Sequence, residues 1–234
     1  MWTLLLGIIA AMMFWAGCDS PGAQPLPMTG TAPAKTAPTK PVVVLNPGDI
    51  PDVAVRYRKT LIRAWQTYFF LEEPPAIGAA QIHTESRWKA TARSPVGASG
   101  LAQAMPATAD WLAEMLPLEI QVACGSGAGC PLEPTWAIHM LALYDYRLWK
   151  SAGRYAATPD DRWAFALAFY NGGEGWSNKE RVVCQGKVGC DSARWWGHVE
   201  RWCVRSDAAC RENRAYPVHV LREFLPRYEV WIGL

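Results

Sequence analysis

The 234-residue sequence carries almost no net charge, with 23 Lys and Arg against 21 Asp and Glu and a formal balance of +2. Without a basic field there is no electrostatic footprint for DNA or RNA, and a nucleic-acid partner is excluded. Histidine is scarce too. The four residues are scattered, and none of the cysteine spacings is the two-residue hook that metal sites favour. No metal or other cofactor is therefore expected. Also missing is any long period-two alternation, which removes a sheet from the expected fold. What is present is apolar: half of the residues are hydrophobic, enough for one domain of roughly 180 residues once the N-terminal segments are set aside.

Those N-terminal segments differ from the rest in composition. From Met1 to Gly17 there is no charged side chain, and Leu4-Leu5-Leu6-Gly7-Ile8-Ile9 runs into Met12-Met13-Phe14-Trp15. The run is shorter than the roughly 20 apolar residues that a spanning helix needs, so residues 1–17 read as a secretory signal. It ends in Ala16-Gly17-Cys18, which resembles the lipobox of bacterial lipoproteins, although Trp15 stands where Leu is usual and no Lys or Arg precedes the run. The resemblance implies that Cys18 is lipidated and becomes the new N-terminus. An uncleaved signal anchor is the alternative. On either reading the chain is exported and held at a membrane, and the expectation is a lipoprotein facing the periplasm. Residues 18–51 hold this Cys and a Pro, Ala and Thr-rich stretch with eight of the eighteen prolines. Such a stretch packs poorly and reads as a linker, either a spacer from the membrane or a tail without spatial role.

Seven cysteines are an odd number for an exported chain, and setting Cys18 aside leaves six. These fall into close pairs, and local loops are the simplest arrangement of the fifteen possible. The expected disulfides are Cys124–Cys130, Cys184–Cys190 and Cys203–Cys210.

In residues 52–234 helical periodicity dominates. Tyr57, Leu61, Trp65 and Phe69 recur every fourth position between Val53 and Phe70, ahead of the stop Pro74-Pro75. A second helix is expected from Pro75 through Ile77, Ala80 and Ile82 toward Glu85. Pro106 and Pro134 each read as a first helical turn. Thr158-Pro159-Asp160-Asp161 offers a capping signal, and Asn171-Gly172-Gly173 a stop. A last helix is expected to begin at about Pro217 and run to Tyr228. The fold class is mainly α.

Chemistry concentrates in a few blocks. His83-Thr84-Glu85-Ser86-Arg87-Trp88 is followed by Ser94-Pro95-Val96-Gly97-Ala98-Ser99-Gly100-Leu101-Ala102-Gln103-Ala104-Met105-Pro106, later by Ala168-Phe169-Tyr170-Asn171-Gly172-Gly173, and finally by Glu212 and Tyr216. In this order the blocks resemble the soluble lytic transglycosylase family over about residues 77–228, with Ala102 in place of a Met and Asn213 and Pro217 in place of Thr and Val. Ordered blocks are far more specific than any single one. The resemblance implies a lysozyme-like helical bundle of the goose-type lysozyme and lytic transglycosylase kind, and as substrate the glycan strands of peptidoglycan. It implies Glu85 as acid and base, Gln103 and Met105 in the wall of the sugar cleft, Tyr170 and Asn171 beside the reacting sugar, and Glu212 near them. Ser86 is expected to hold the acid or a substrate acetamide.

The residues fit that implication. Glycoside cleavage needs a proton for the leaving oxygen, so one carboxyl must stay protonated near neutrality, which apolar neighbours achieve. Glu85 ends an apolar helix, and no acidic residue lies between it and Asp110. The implied activity is a lyase reaction that cuts the MurNAc–GlcNAc bond without water, with the substrate's N-acetyl group assisting and an anhydro ring as product. A lysozyme-type hydrolase, with a second carboxylate or a positioned water, is the rival. A glycan-binding lipoprotein without activity is a further one. Read without the blocks, Glu85 would be a solvated charge, Tyr170 and Met105 core residues, and Glu212 a helix-start acid. The chain is expected to act as a monomer, and none of its thirteen Trp is assigned to substrate.

Overall fold

The computed structural model describes residues 49–122 and 129–233. The first helix, α1 (Ala54–Phe69), buries Leu61, Ala64, Trp65 and Phe69 on one face, as the four-residue recurrence requires. It ends at Phe69, ahead of the expected prolines, because Phe70 turns to φ 53° while its N–H closes on the carbonyl of Gln66. The next helix, α2 (Ala76–Ser86), is buried from Ala76 through Ile82. Such all-round burial belongs to a helix at the centre of a bundle. Its Gly78 is a matter of space: a Cβ there would stand 2.6 Å from the Trp65 ring of α1.

Between α2 and α3 (Pro106–Ala113) the chain makes a compact loop with isolated antiparallel bridges, Arg93 to Ser99 and Ser99 to Ala104. Gly100 has φ +79° and lies against the main chain of Pro131, where any Cβ would clash. Then follow α4 (Leu118–Val122) and α5 (Pro134–Ala152), the latter capped by the Glu133 carboxylate on Trp136 N–H. The sixth helix, α6 (Pro159–Gly172), is capped by Thr158, whose Oγ1 accepts from Asp161 N at 3.0 Å, and is buried from Trp163 to Phe169. It packs against α5, α7 (Glu174–Gln185) and α8 (Asp207–Val218). A 3-10 turn, Val199–Arg201, precedes α8.

One boundary departs from the expectation. Pro217 does not start the last helix; it lies inside α8, which leads into a π-helical turn, His219–Phe224, before α9 (Leu225–Gly233). Proline cannot donate the helical bond to the carbonyl four residues back, and the wider turn that follows keeps the helix continuous past it. Helices α4 and α7 and the first turns of α8 are additions to the elements expected from the sequence.

The architecture is mainly helical, and among the described residues there is no sheet. Trp65, Phe69, Tyr146, Trp149 and Trp163 form one aromatic cluster, with Trp65 and Phe69 centroids 4.5 Å apart. Trp65, Trp88, Trp136 and Trp195 are fully buried, which makes them packing residues. The disulfides Cys184–Cys190 and Cys203–Cys210 are present, with Cα separations of 5.4 and 5.9 Å. Cys130 is disulfide-bonded, while Cys124 lies outside the described residues, as do the expected signal and Cys18. No helix among the described residues is long and apolar enough to cross a membrane.

In an open helix a Gly to Ala change stabilises by about 0.5–1 kcal/mol. Gly78→Ala should reverse that sign, because the added methyl drives into the Trp65 ring, and overpacking costs about 1–3 kcal/mol. A denaturant melt showing Gly78→Ala as stable as the parent would mean that α1 and α2 are not in this contact.

Candidate active site

Glu85 sits in the last turn of α2, where carbonyl groups crowd and the helix dipole disfavours an anion. Burial pushes its carboxyl up to about 7; the Tyr216 hydrogen bond opposes the rise and the nearby charge of Glu212 adds to it. Tyr216, buried on α8, donates its hydroxyl to Oε1 of Glu85 in a short hydrogen bond. With Oε1 accepting, the carboxyl proton belongs on Oε2.

The ring of Tyr216 lies parallel to that of Tyr170, centroids 6.2 Å apart at 5°. Tyr170 comes from the end of α6, and its hydroxyl donates to the carbonyl of Ala102 at 2.6 Å. The row continues from Tyr170 to Tyr144 of α5 at 5.3 Å and on to Trp111 of α3 at 6.1 Å. Trp111 is 46 % exposed, so an aromatic surface leads from the carboxyl to solvent.

On the other flank Asn171 Nδ2 donates to Glu212 Oε1 at 3.3 Å. These two residues line a cavity of about 280 Å³ with Gly172, Trp176 and Arg205. Glu85 is not among its lining residues; it meets this flank through the field of Glu212. Glu212 and Tyr216 are four residues apart and therefore share one face of α8.

The loop after α2 carries the other expected residues. Ser86 Oγ donates to the carbonyl of Leu101 at 2.9 Å, tying the acid's helix to the loop. Gln103 takes φ 44°, an uncommon conformation for a non-glycine residue, and its Nε2 donates to Gly100 O at 2.9 Å. Met105 precedes α3 and is 43 % exposed. The structure thus joins Glu85 to Tyr216, sets the ring of Tyr170 parallel to that of Tyr216, and joins Asn171 to Glu212. Ser86 reaches the 99–105 loop, which bears Gln103 and Met105.

Residues that sequence reasoning passed over complete the site. Tyr216, noted only as part of a pair with Glu212, is the hydrogen-bond partner of the acid. Asn213 is buried, with Nδ2 donating to Ala168 O at 2.8 Å and to Asn171 Oδ1 at 3.2 Å, so it orients Asn171. Asp145, buried on α5, accepts from Gln81 at 3.2 Å, and its carboxyl is raised well above its ordinary range by burial first, with the charge of Glu85 adding to the rise. The one available signal was an acid inside an otherwise apolar helix face.

Residues 71–183 match the family described as transglycosylase SLT domain. Two solved structures share the fold. The 70-kDa soluble lytic transglycosylase from Escherichia coli is 23% identical with a TM-score of 0.50, over 74% of this chain and 24% of that one. The complex of the 70-kDa soluble lytic transglycosylase with bulgecin A is 23% identical with a TM-score of 0.52, over 77% of this chain and 26% of that one. The present chain therefore spans about a quarter of the length of these proteins. No curated protein matches it in sequence. The SLT domain match covers α2 through most of α7, and so includes Glu85, Gln103, Met105, Tyr170 and Asn171.

Burial of Glu85 has a stability consequence. A carboxyl raised in the folded state from its ordinary value of 4.5 to about 7 stabilises the fold fully below its unfolded value, and that contribution disappears as pH rises through the folded value. Glu85→Gln should therefore melt higher than the parent at pH 8, with the difference closing toward pH 4. A Tm difference independent of pH would show that Glu85 is an ordinary exposed acid.

Proposed function

We propose that this chain is a peptidoglycan lytic transglycosylase, cleaving the β-1,4 bond between MurNAc and GlcNAc without water and leaving 1,6-anhydro-MurNAc ends. The observation that carries this reading is the setting of Glu85: a carboxyl raised to about 7, with one oxygen held by Tyr216 and the other left to bear the proton. A group poised near the working pH can both give and take a proton, which is what a two-stage reaction on one residue requires.

In the first stage Glu85 protonates the glycosidic oxygen while the N-acetyl group of MurNAc attacks C1 from the opposite face. The C1–O bond breaks and an oxazolinium forms. In the second, Glu85, now a carboxylate, removes the proton of the C6 hydroxyl, whose oxygen closes on C1 and reopens the oxazolinium to the acetamide. The proton count returns to its starting point, and no water enters. Tyr216 stabilises the carboxylate between the stages by its hydrogen bond, and the parallel ring of Tyr170 holds Tyr216 in place. Asn171 and Glu212 offer an amide and a carboxylate to sugar hydroxyls and acetamides. Gln103 and Met105 form the opposite wall, and Ser86 keeps that wall in register with the acid. An exported chain, anchored through lipid on Cys18 and facing the periplasm, would meet this substrate where it lies.

The products decide the chemistry. Muropeptides from purified wall should end in 1,6-anhydro-MurNAc, lighter by one water than hydrolase products, and reducing ends formed from the outset would make the enzyme a lysozyme. Glu85→Gln should lose activity at or beyond the upper end of the about 10²–10⁴-fold that positioned acid–base groups contribute, since one group serves both stages. Near-full activity in that variant would remove Glu85 from the mechanism. Anchoring is tested separately: lipid labelling and membrane fractionation of Cys18→Ala should show loss of both, and a variant that stays membrane-bound with a parent that never takes label would leave a signal anchor in its place.

A further inference from the structure

Asp145 has no place in the mechanism above, yet its buried carboxyl and that of Glu85 act on each other. It is 1 % exposed, and Gln81, whose Nε2 donates to its Oδ1 at 3.2 Å, is 0 % exposed. The other two polar atoms of the pair, Oδ2 of Asp145 and Oε1 of Gln81, have no hydrogen-bond partner among the described residues. Were Asp145 ionised, both orphans would be acceptors, one of them carrying charge in a dry interior, and such an arrangement is strongly disfavoured. A single proton on Oδ2 changes the account, since it turns two orphan acceptors into a donor and an acceptor.

The groups that act on Asp145 point the same way. Burial drives its carboxyl up, Gln81 opposes this, and the charge of Glu85 on α2 adds to the rise. The remaining titratable groups coupled to it are phenols: Tyr144 on its own helix, Tyr170 from α6 and Tyr216 from α8. No cation figures among the influences on it. Gln81 lies four residues before Glu85, so the two stack on one face of α2, and a bond made at Gln81 fixes the turn from which Glu85 projects.

We propose that Asp145 is a positioning residue for Glu85, a neutral carboxylic acid paired at two points with the Gln81 amide, its O–H donating to Oε1 and its carbonyl accepting from Nε2. The inference rests on the reading of Glu85 as the acid. A neutral partner holds α2 against α5 without placing a second anion beneath Glu85, so the carboxylate formed after proton donation meets no added repulsion. An ionised Asp145 would bind the Glu85 proton more tightly and hinder its release.

The protonation state is read by infrared difference spectroscopy on the full chain at neutral pH. In a Glu85→Gln background, which removes the other raised carboxyl of the site, a protonated-carboxyl carbonyl band should be present and should vanish in Glu85→Gln/Asp145→Asn. If the second substitution removes no such band, the proposal is overturned whatever the chain does to glycan. Positioning is read by kinetics on wall substrate. Asp145→Asn keeps a donor and an acceptor and should leave the acidic and basic limbs of the pH profile where they are; a downward shift of the limb set by Glu85 would show that a negative charge had been removed, and would overturn the proposal. Asp145→Leu should lower kcat by about 10²-fold with little change in KM, as displacement of a reacting group by about 1 Å does. The double variant Gln81→Leu/Asp145→Leu, with an apolar pair, should regain Tm without regaining kcat. Recovery of both would reduce Asp145 to packing. Should Asp145→Leu not fold, the Asn variant and the infrared band still decide. If the parent itself yields no anhydro products, the transglycosylase reading fails, and if Glu85→Gln stays active the reading of Glu85 fails, while in either case the band still reports on Asp145.

Discussion

Keeping a carboxyl protonated near neutrality means removing it from water and denying it a cation, and the rest of the site follows from that requirement. The groups that act on Glu85 are a phenol and another carboxyl, Tyr216 and Glu212. Two arginines do stand in this region, and both are engaged elsewhere. Arg205 lies 3.0 Å and Arg214 2.9 Å from the carboxylate of Glu180, which is fully buried. A fully desolvated carboxylate binds guanidinium groups more strongly than a group at an open cleft, so Glu180 holds both cations on the α7–α8 side.

The acid proposed for Glu85 also has to stay in place, and α2 is tied on several sides. Gly78 lets it press on Trp65 of α1, and Gln81 bonds to Asp145 of α5. His83 reaches the Tyr228 hydroxyl of α9 at 2.8 Å and stacks on Phe224 of the π turn at 4.2 Å. Glu85 accepts from α8, and Ser86 holds the 99–105 loop. These partners come from widely separated parts of the chain, so the orientation of one turn of helix reports the packing of the whole bundle. Rigid support of this kind suits chemistry in which small displacements are costly.

Local signals were legible in the sequence and long-range ones were not. Pro106, Pro134 and Thr158 mark helix starts through chemistry confined to one turn, and the structure places helices there. Pro217 misled, because a proline near a helix start and a proline before a π turn look alike in one dimension. Helix α7 reads as a polar stretch, Ser177-Asn178-Lys179-Glu180-Arg181, although Ser177 and Glu180 are buried under Arg205. Glu85 could be located through its flanking blocks, but its bond to Tyr216 spans 131 residues and no periodicity encodes it. Asp145 drew no assignment from the sequence, since its bond to Gln81 spans 64 residues and no local pattern encodes it.

The Asn171-Gly172-Gly173 block shows how a motif seen only as a pattern acquires a cause. Gly173, at φ +85°, turns the chain from α6 into α7 in a conformation that side chains rarely adopt. Gly172 is required for space: a Cβ there would fall 1.9 Å from Nη1 of Arg205 and 2.6 Å from Nδ2 of Asn213. Those are the groups that neutralise Glu180 and orient Asn171. A side chain at position 172 would press on the ends of Arg205 and Asn213, so that one or both must shift relative to Glu180 and Asn171. The glycine thus acts through the positions of an arginine and an asparagine, and the second of these orients the amide that meets Glu212.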